Sequence, residues 1–393
     1  MKNKEIYLDA CKTSKLDPEV LKEMLPYFTE KFWYPGNFTS IGNEIADALQ
    51  NSKETIASSL SAKPKEIIFT SGGTDANNIA LKGLMAAWEN TGKHFITSKI
   101  AHPSMLKIFA ALEKQGYEGS YISADQDGYL DLDELKKSIR KDTTLIAFTH
   151  VNHTLGTIQK IKEISEILKR QDHKINFFID SCEAYAKIPI NVEELGVDSL
   201  SISAHKFNGP KGVGALYIKT GTKMVQTQQG INRFQALKPG AINVPAIVGF
   251  AKIVELIFKN FSNYRNYLGK IQKLLYDGIV KNIPDIRLNG PKIGKRSPAH
   301  LNITFYYAEG EAIMMMLDFE NIHVATGSAC AAKDLKANYI LRHTGRTHEE
   351  CNSSIRFTLD KFISTTDVER TVKVLTEVIQ ELRRRSPLGK NRM

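Results

Sequence analysis

Between about residue 65 and residue 218, short apolar runs alternate with segments of helical periodicity. The runs are EIIFT, HFITS, GSYISA, TLIAFTH, NFFID, SLSISA and GALYI. Stretches such as KIKEISEILKRQ lie between them, with apolar residues recurring at helical spacing. Strand–helix alternation of this kind predicts an open, largely parallel sheet covered on both faces. Ligands of such a sheet sit at the carboxyl ends of its strands. From about residue 258 the character changes: long helical runs, SNYRNYLGKIQKLLYDGIV and DVERTVKVLTEVIQELRRR, flank a few strands, LNITFYY among them. That region reads as a second, smaller α+β domain.

The carboxyl ends of three of those runs carry chemistry. EIIFT passes through Ser71-Gly72-Gly73-Thr74 into a helical segment on which Leu81, Leu84, Met85 and Trp88 share a face. Glycines and a hydroxyl at a helix start present free N–H groups to an anion, ideally a phosphate. A tight turn capped by Asp75 or Thr74 is the structural alternative. NFFID ends in Asp180, a carboxylate that burial penalises unless it meets a cation. SLSISA runs into Ser203-Ala204-His205-Lys206 and then a Gly/Pro loop. A lysine, a carboxylate and a phosphate cradle around one site match pyridoxal phosphate chemistry. The lysine forms a Schiff base, the carboxylate keeps the pyridinium nitrogen protonated, and Ser203 and His205 add phosphate donors. Walker and dinucleotide fingerprints are absent, because GVGAL at 212 precedes a strand rather than a helix.

Composition bounds the rest. The 393 residues, 42% of them hydrophobic, are enough to bury a core in more than one domain. A formal charge of +10 favours acidic partners and phosphorylated ligands. The basic residues are dispersed apart from Arg383, Arg384 and Arg385, a short terminal run that reads as solvated, so no nucleic-acid binding is expected. Four cysteines, Cys11, Cys182, Cys330 and Cys351, are no disulfide framework, and no CxxC pair points to structural zinc. The N-terminus lacks an apolar signal region and no stretch has the length of a membrane span, so the expectation is a cytoplasmic protein with reduced thiols. His343, His348 and Cys351 cluster in HTGRTHEEC, where helix-start composition explains them better than a metal.

The motifs YLDACKTS, FTSGGTDANNIALKG, AHPSM, VNHTLGTIQ, IDSCEAYAKIPI, SAHKFNGPKGVGALYI, PGAINVPAIVG, ATGSACAAK and SSIRFTL, in this order, resemble those of NifS/IscS-like cysteine desulfurases. These belong to the class V aminotransferase family of fold type I pyridoxal phosphate enzymes. The resemblance implies a large domain over 15–257 with a mostly parallel seven-stranded sheet, and a small α+β domain over 1–14 and 258–393. It further implies that Lys206 carries the cofactor and Asp180 contacts the pyridine nitrogen. His102 stacks on the ring and moves protons. Gly73, Thr74, Ser203 and His205 hold the phosphate, while Asn152 and Arg356 bind substrate, the arginine as a bidentate fork for the carboxylate. Cys330, on a loop of small residues spaced from Gly345 as in the long-loop group, is the thiol that takes sulfur from L-cysteine. Cys11, Cys182 and Cys351 are read as ordinary semi-buried thiols. A homodimer and a sulfur-acceptor or scaffold protein are the implied partners.

Several positions depart from the family pattern. His153 stands where an asparagine usually approaches the cofactor's phenolic oxygen, and Glu183 replaces a glutamine that donates to the same oxygen. Because a carboxylate repels a phenolate, the expectation is that His153 supplies the donor and that Glu183 is protonated or paired with this imidazole. Lys238-Pro239-Gly240-Ala241 replaces RxGT, and Ala241 cannot reach a neighbouring subunit's phosphate. The leading reading is a cysteine desulfurase serving iron–sulfur assembly or tRNA thiolation. The alternatives are a selenocysteine lyase and a weakly active binding platform.

Overall fold

The computed structural model describes residues 4–36, 39–231, 234–326 and 338–385. All seven apolar runs become strands of one sheet: β1 (Ile67–Thr70), β2 (His94–Ser98), β3 (Glu118–Ile122), β4 (Thr143–Thr149), β5 (Asn176–Asp180), β6 (Ser199–Ser203) and β7 (Gly214–Ile218). Their order across the sheet is β1-β7-β6-β5-β4-β2-β3. Only β7 runs against its neighbours, pairing antiparallel with both β1 and β6. Strands β4, β5 and β6 are buried throughout, as a sheet covered on both faces requires.

The alternation along β5 and β6 decides what each face carries. Phe177 and Ile179 on β5, with Leu200 and Ile202 on β6, join the core on one side. Phe178 joins the opposite core with Ile79, Ala80 and Leu84 of helix α1 (Gly73–Ala87). Asp180 shares the parity of Phe178, and the three serines of β6 share that of Ser203. The small serines bring α1 close enough for Ser201 Oγ to bond Asn77 at 2.7 Å.

A second core lies on an antiparallel sheet built from β8 (Ile286–Leu288), β9 (His300–Phe305), β10 (Ala325–Thr326) and β11 (Ser354–Thr358), ordered β10-β11-β9-β8. The expected helical runs fold as Phe261–Asn282 and Thr365–Arg385 and pack Leu275, Ile279, Leu375 and Ile379 against it. Residues Ile6–Tyr7 pair in parallel with Ile322–His323, which brings Ile6 and Leu8 into the same core. On β11, Ile355 and Phe357 face that core and Arg356 between them faces the other way, opposite Asn302 and Ala325. In HTGRTHEEC, Thr347 and Glu350 form a capping box that starts a short helix. Among the described residues no helix is long and apolar enough to cross a membrane.

Candidate active site

A cavity of about 220 Å³ opens at the carboxyl ends of β4, β5 and β6 and gathers Gly73, Thr74, His102, His153, Asp180, Glu183, Ser203, His205 and Lys206. At one end, Gly72 adopts φ +137°, open only to glycine, and α1 starts without a side-chain cap. A Cβ on Gly73 would lie 2.4 Å from Cys182 Sγ, so the backbone approaches the cavity as closely as it can. Asp75 does not cap α1. Its carboxylate turns outward to accept from the Ser71 N–H at 2.8 Å and to pair with Lys238 at 2.9 Å, which leaves the helix start clear. Ser203 Oγ is buried there without a partner among the described residues. His205 completes this end as a neutral ring, because burial, with Lys206 adding, pushes its pKa down to about 4.

Toward the middle, Asp180 Oδ2 accepts from Asn77 Nδ2 at 2.9 Å and Oδ1 from the Cys182 N–H at 3.0 Å. His102 precedes the helix Pro103–Glu113, and its Nδ1 accepts from the Ser104 N–H at 3.2 Å. That bond places the ring's proton on Nε2. Burial lowers the pKa of His102, and its ring meets His153 edge-on at 4.8 Å. His153 is held neutral mainly by burial, and its Nδ1 has no partner among the described residues.

The far end is a charge network. Glu183 Oε1 lies 2.8 Å from Lys206 Nζ and accepts from Cys11 Sγ at 3.2 Å. Its Oε2 lies 2.8 Å from Lys187 Nζ and 3.2 Å from His300 Nε2, the latter without an aligned hydrogen bond. Burial opposes the carboxylate's charge, but Lys187 and Lys206 outweigh it and hold Glu183 ionised. The expectation that Glu183 is protonated or paired with His153 is therefore corrected: two ammonium groups hold it, and its nearest imidazole is His300. Lys206 Nζ also donates to the Cys11 carbonyl oxygen. Arg356 Nη2 bonds Asp9 at 2.8 Å while its buried Nε has no partner among the described residues. Asn152 does not line the cavity, since its amide donates to the Ile100 carbonyl and accepts from the Thr154 and Leu155 N–H groups.

Cys330 lies outside the described residues. Cys11, Cys182 and Cys351 are buried rather than semi-buried, and the first two border the site. Burial pushes the Cys11 thiol up to about 11. Donor atoms of Cys11, Glu183 and His300 lie within 4.8 Å of one another, but the two ammonium groups already neutralise the carboxylate a cation would need. Sequence reasoning missed Asn77, Lys187 and His300. Asn77 sits one helical turn after Gly73, and Lys187 four residues after Glu183, spacings that place each beside a residue already singled out. His300 comes from the other core and carried no signal.

This fold and site define an enzyme class, and the comparisons say which. The model of the class-V aminotransferases matches residues 6–370, so the chain belongs to that family. Within it the chain groups with the cysteine desulfurases. It is 42% identical over 384 residues to cysteine desulfurase IscS of Dictyoglomus turgidum, covering 98% of this chain and 97% of that one. To the IscS of Methanosarcina thermophila it is 40% identical, over 98% and 95% of the two chains. A solved NifS-like protein superimposes with a TM-score of 0.90 at 28% identity, over 96% of this chain and all of that one. The structure of SspA in complex with cysteine gives a TM-score of 0.79 at 28% identity, over 90% and 98%. The donor set fits a pyridoxal phosphate: an unpartnered Ser203 hydroxyl and an open helix start are free to receive a phosphate, and Asp180 and Lys206 converge from the ends of adjacent strands.

Proposed function

We propose that the chain takes sulfur from L-cysteine, releasing L-alanine, with pyridoxal phosphate held by Lys206, Asp180, Gly73, Thr74, Ser203 and His205. The observation that carries this reading is the meeting of Lys206, Asp180, His102 and the phosphate cradle in one cavity. When bound, the cofactor supplies an electron sink for the pair left when the substrate Cα loses its proton. Arg356, fixed by Asp9, offers its guanidinium to the substrate carboxylate. Lys206 as a free amine takes the Cα proton, and His102, with its hydrogen on Nε2, serves proton transfer at the substrate. The Cys330 thiolate attacks the substrate sulfur. The carbon–sulfur bond breaks, its electron pair stays with Cβ, one proton to Cβ and one returned to Cα complete alanine, and sulfur remains on Cys330 as a persulfide. An acceptor or scaffold protein then collects it, and the working unit is a homodimer.

The test is the visible spectrum of the purified protein with and without L-cysteine, with alanine and sulfide assayed in parallel. The expected result is cofactor-derived absorbance lost in Lys206→Ala, and alanine formation that requires Cys330. Bound cofactor that yields no alanine from cysteine overturns the reading.

A further inference from the structure

Glu183 sits between two buried lysines with different surroundings. Lys187 follows it by four residues, its side chain is 2% exposed, and its ammonium bonds Oε2 at 2.8 Å. Lys206 is 14% exposed, reaches into the cavity, and bonds Oε1 at 2.8 Å. Lys187 thus fixes the carboxylate from behind and aims its second oxygen at the cavity lysine. We propose that Glu183, pinned by the positioning residue Lys187, is the counter-ion that holds a proton on Lys206 Nζ, both in the cofactor-free protein and once that nitrogen is joined to the cofactor.

The neighbours support this. His300, Cys11 and Cys182 also face the pair, the imidazole kept neutral by burial and both thiols kept protonated by it. Arg356 stands beyond them with its charge met by Asp9. The rings of His102, His153 and His205 are held toward the neutral form. Glu183 is therefore the carboxylate in contact with Lys206, and although burial disfavours the ammonium, Glu183 outweighs it. An ammonium is no nucleophile, so the same contact that organises the site slows cofactor loading. This inference rests on Lys206 being the cofactor-bearing lysine, as proposed above.

The experiment labels cofactor-free, full-length protein with acetic anhydride from pH 7 to 10.5 and quantifies the Lys206 peptide by mass spectrometry. The parent should gain about tenfold in Lys206 labelling per pH unit with no plateau, since only the free amine reacts. Glu183→Gln should label at least tenfold faster at pH 8 and reach a plateau by about pH 10. Lys187→Met, which leaves Glu183 to Lys206 alone, should not plateau earlier than the parent. If all three chains share one pH midpoint, or the parent itself levels off below pH 10, the proposal is wrong. The parental profile can overturn the proposal even if Glu183→Gln does not fold. In cofactor-loaded protein, visible absorbance should stay constant from pH 6 to 9.5 in the parent and titrate in Glu183→Gln. Labelling needs neither cofactor nor cysteine, so a chain that makes no alanine still tests the counter-ion. Alanine formation alongside identical labelling profiles sinks the counter-ion alone.

Discussion

The cavity's glycine end and its lysine end meet a ligand in opposite conditions. Around Gly72, Gly73 and Ser203 the lining is neutral and keeps unused hydrogen-bonding capacity: an uncapped helix start and an orphaned hydroxyl. Around Lys206 and Arg356 each cation already has a carboxylate, Glu183 for one and Asp9 for the other. The glycine end thus has donors ready for the anion proposed to bind there. The lysine end is a closed network that a ligand has to open, so substitutions there act on chemistry and proton position before they act on affinity.

The largest expected effect therefore lies at the lysine end. Lys206→Ala removes the group proposed to hold cofactor and move the substrate proton, and alanine formation should fall by roughly 10³-fold or more. Lys187 remains to neutralise Glu183, so the fold should persist, and circular dichroism with a thermal melt checks that. Substantial residual turnover would mean that the wrong lysine has been assigned.

Acid should expose the difference next. Burial holds His150 and His300 down at about 4, whereas an unfolded chain protonates them near 6.5. Between these values the unfolded state binds protons that the folded state refuses. Stability is thus complete above pH 6.5 and falls as pH drops toward 4, by about 1 kcal/mol per pH unit for each ring. His205, partly solvated, adds less. Glu183, depressed by its two lysines, contributes above its ordinary range near 4.5 and is lost only as pH falls further. Denaturant midpoints at pH 7, 6 and 5 measure this, and a flat series would contradict the neutral imidazoles.

How much of this was legible beforehand follows the same division. Each of the seven apolar runs became a strand of the large sheet, because periodicity and burial are local properties that the chain displays directly. The glycine end was less open to reading, since Gly72-Gly73-Thr74 after a strand suits a capped turn as well as an anion cradle, and only the fold leaves the start of α1 uncapped. The lysine end was only half visible. Asp180 and Lys206 stood out at strand ends, yet the groups that complete the network around them came from elsewhere: Asp9 on Arg356 and Cys11 on Glu183 from the N-terminal segment, and His300 beside Glu183 from β9. Pairing Glu183 with His153 failed because two ammonium groups take the carboxylate, Lys206 by a contact between distant segments that leaves no spacing to read and Lys187 by an i,i+4 spacing that was overlooked. Asn152 shows the reverse, a residue beside the site whose amide the local turn consumes.

Gly73→Ala tests the glycine end. Its Cβ would meet Cys182 Sγ at 2.4 Å, an overpacking that costs about 1–3 kcal/mol. Cofactor affinity should drop about tenfold or more, since each 1.4 kcal/mol is a factor of ten. Adding Cys182→Ala removes the sulfur, leaving a Cβ at 3.7 Å, and should restore most of the loss. Titration of cofactor into the single and double variants distinguishes a steric cradle from a general weakening, which the second substitution would not repair.

Asn77 joins the two ends, and its removal should have the smallest effect. Its amide donates to Asp180 Oδ2 at 2.9 Å and to Ser104 Oγ at 3.0 Å, and its carbonyl oxygen accepts from Ser201. Asn77→Ala strands these buried groups and should cost about 1–3 kcal/mol in chemical denaturation. Asp180 keeps the Cys182 N–H, so the carboxylate loses orientation rather than its place. Because the uncapped start of α1 is untouched, inorganic phosphate should compete with cofactor as well as it does in the parent, while affinity for the whole cofactor weakens. Equal weakening toward both ligands would show that Asn77 holds α1 itself, and that the two ends are mechanically one.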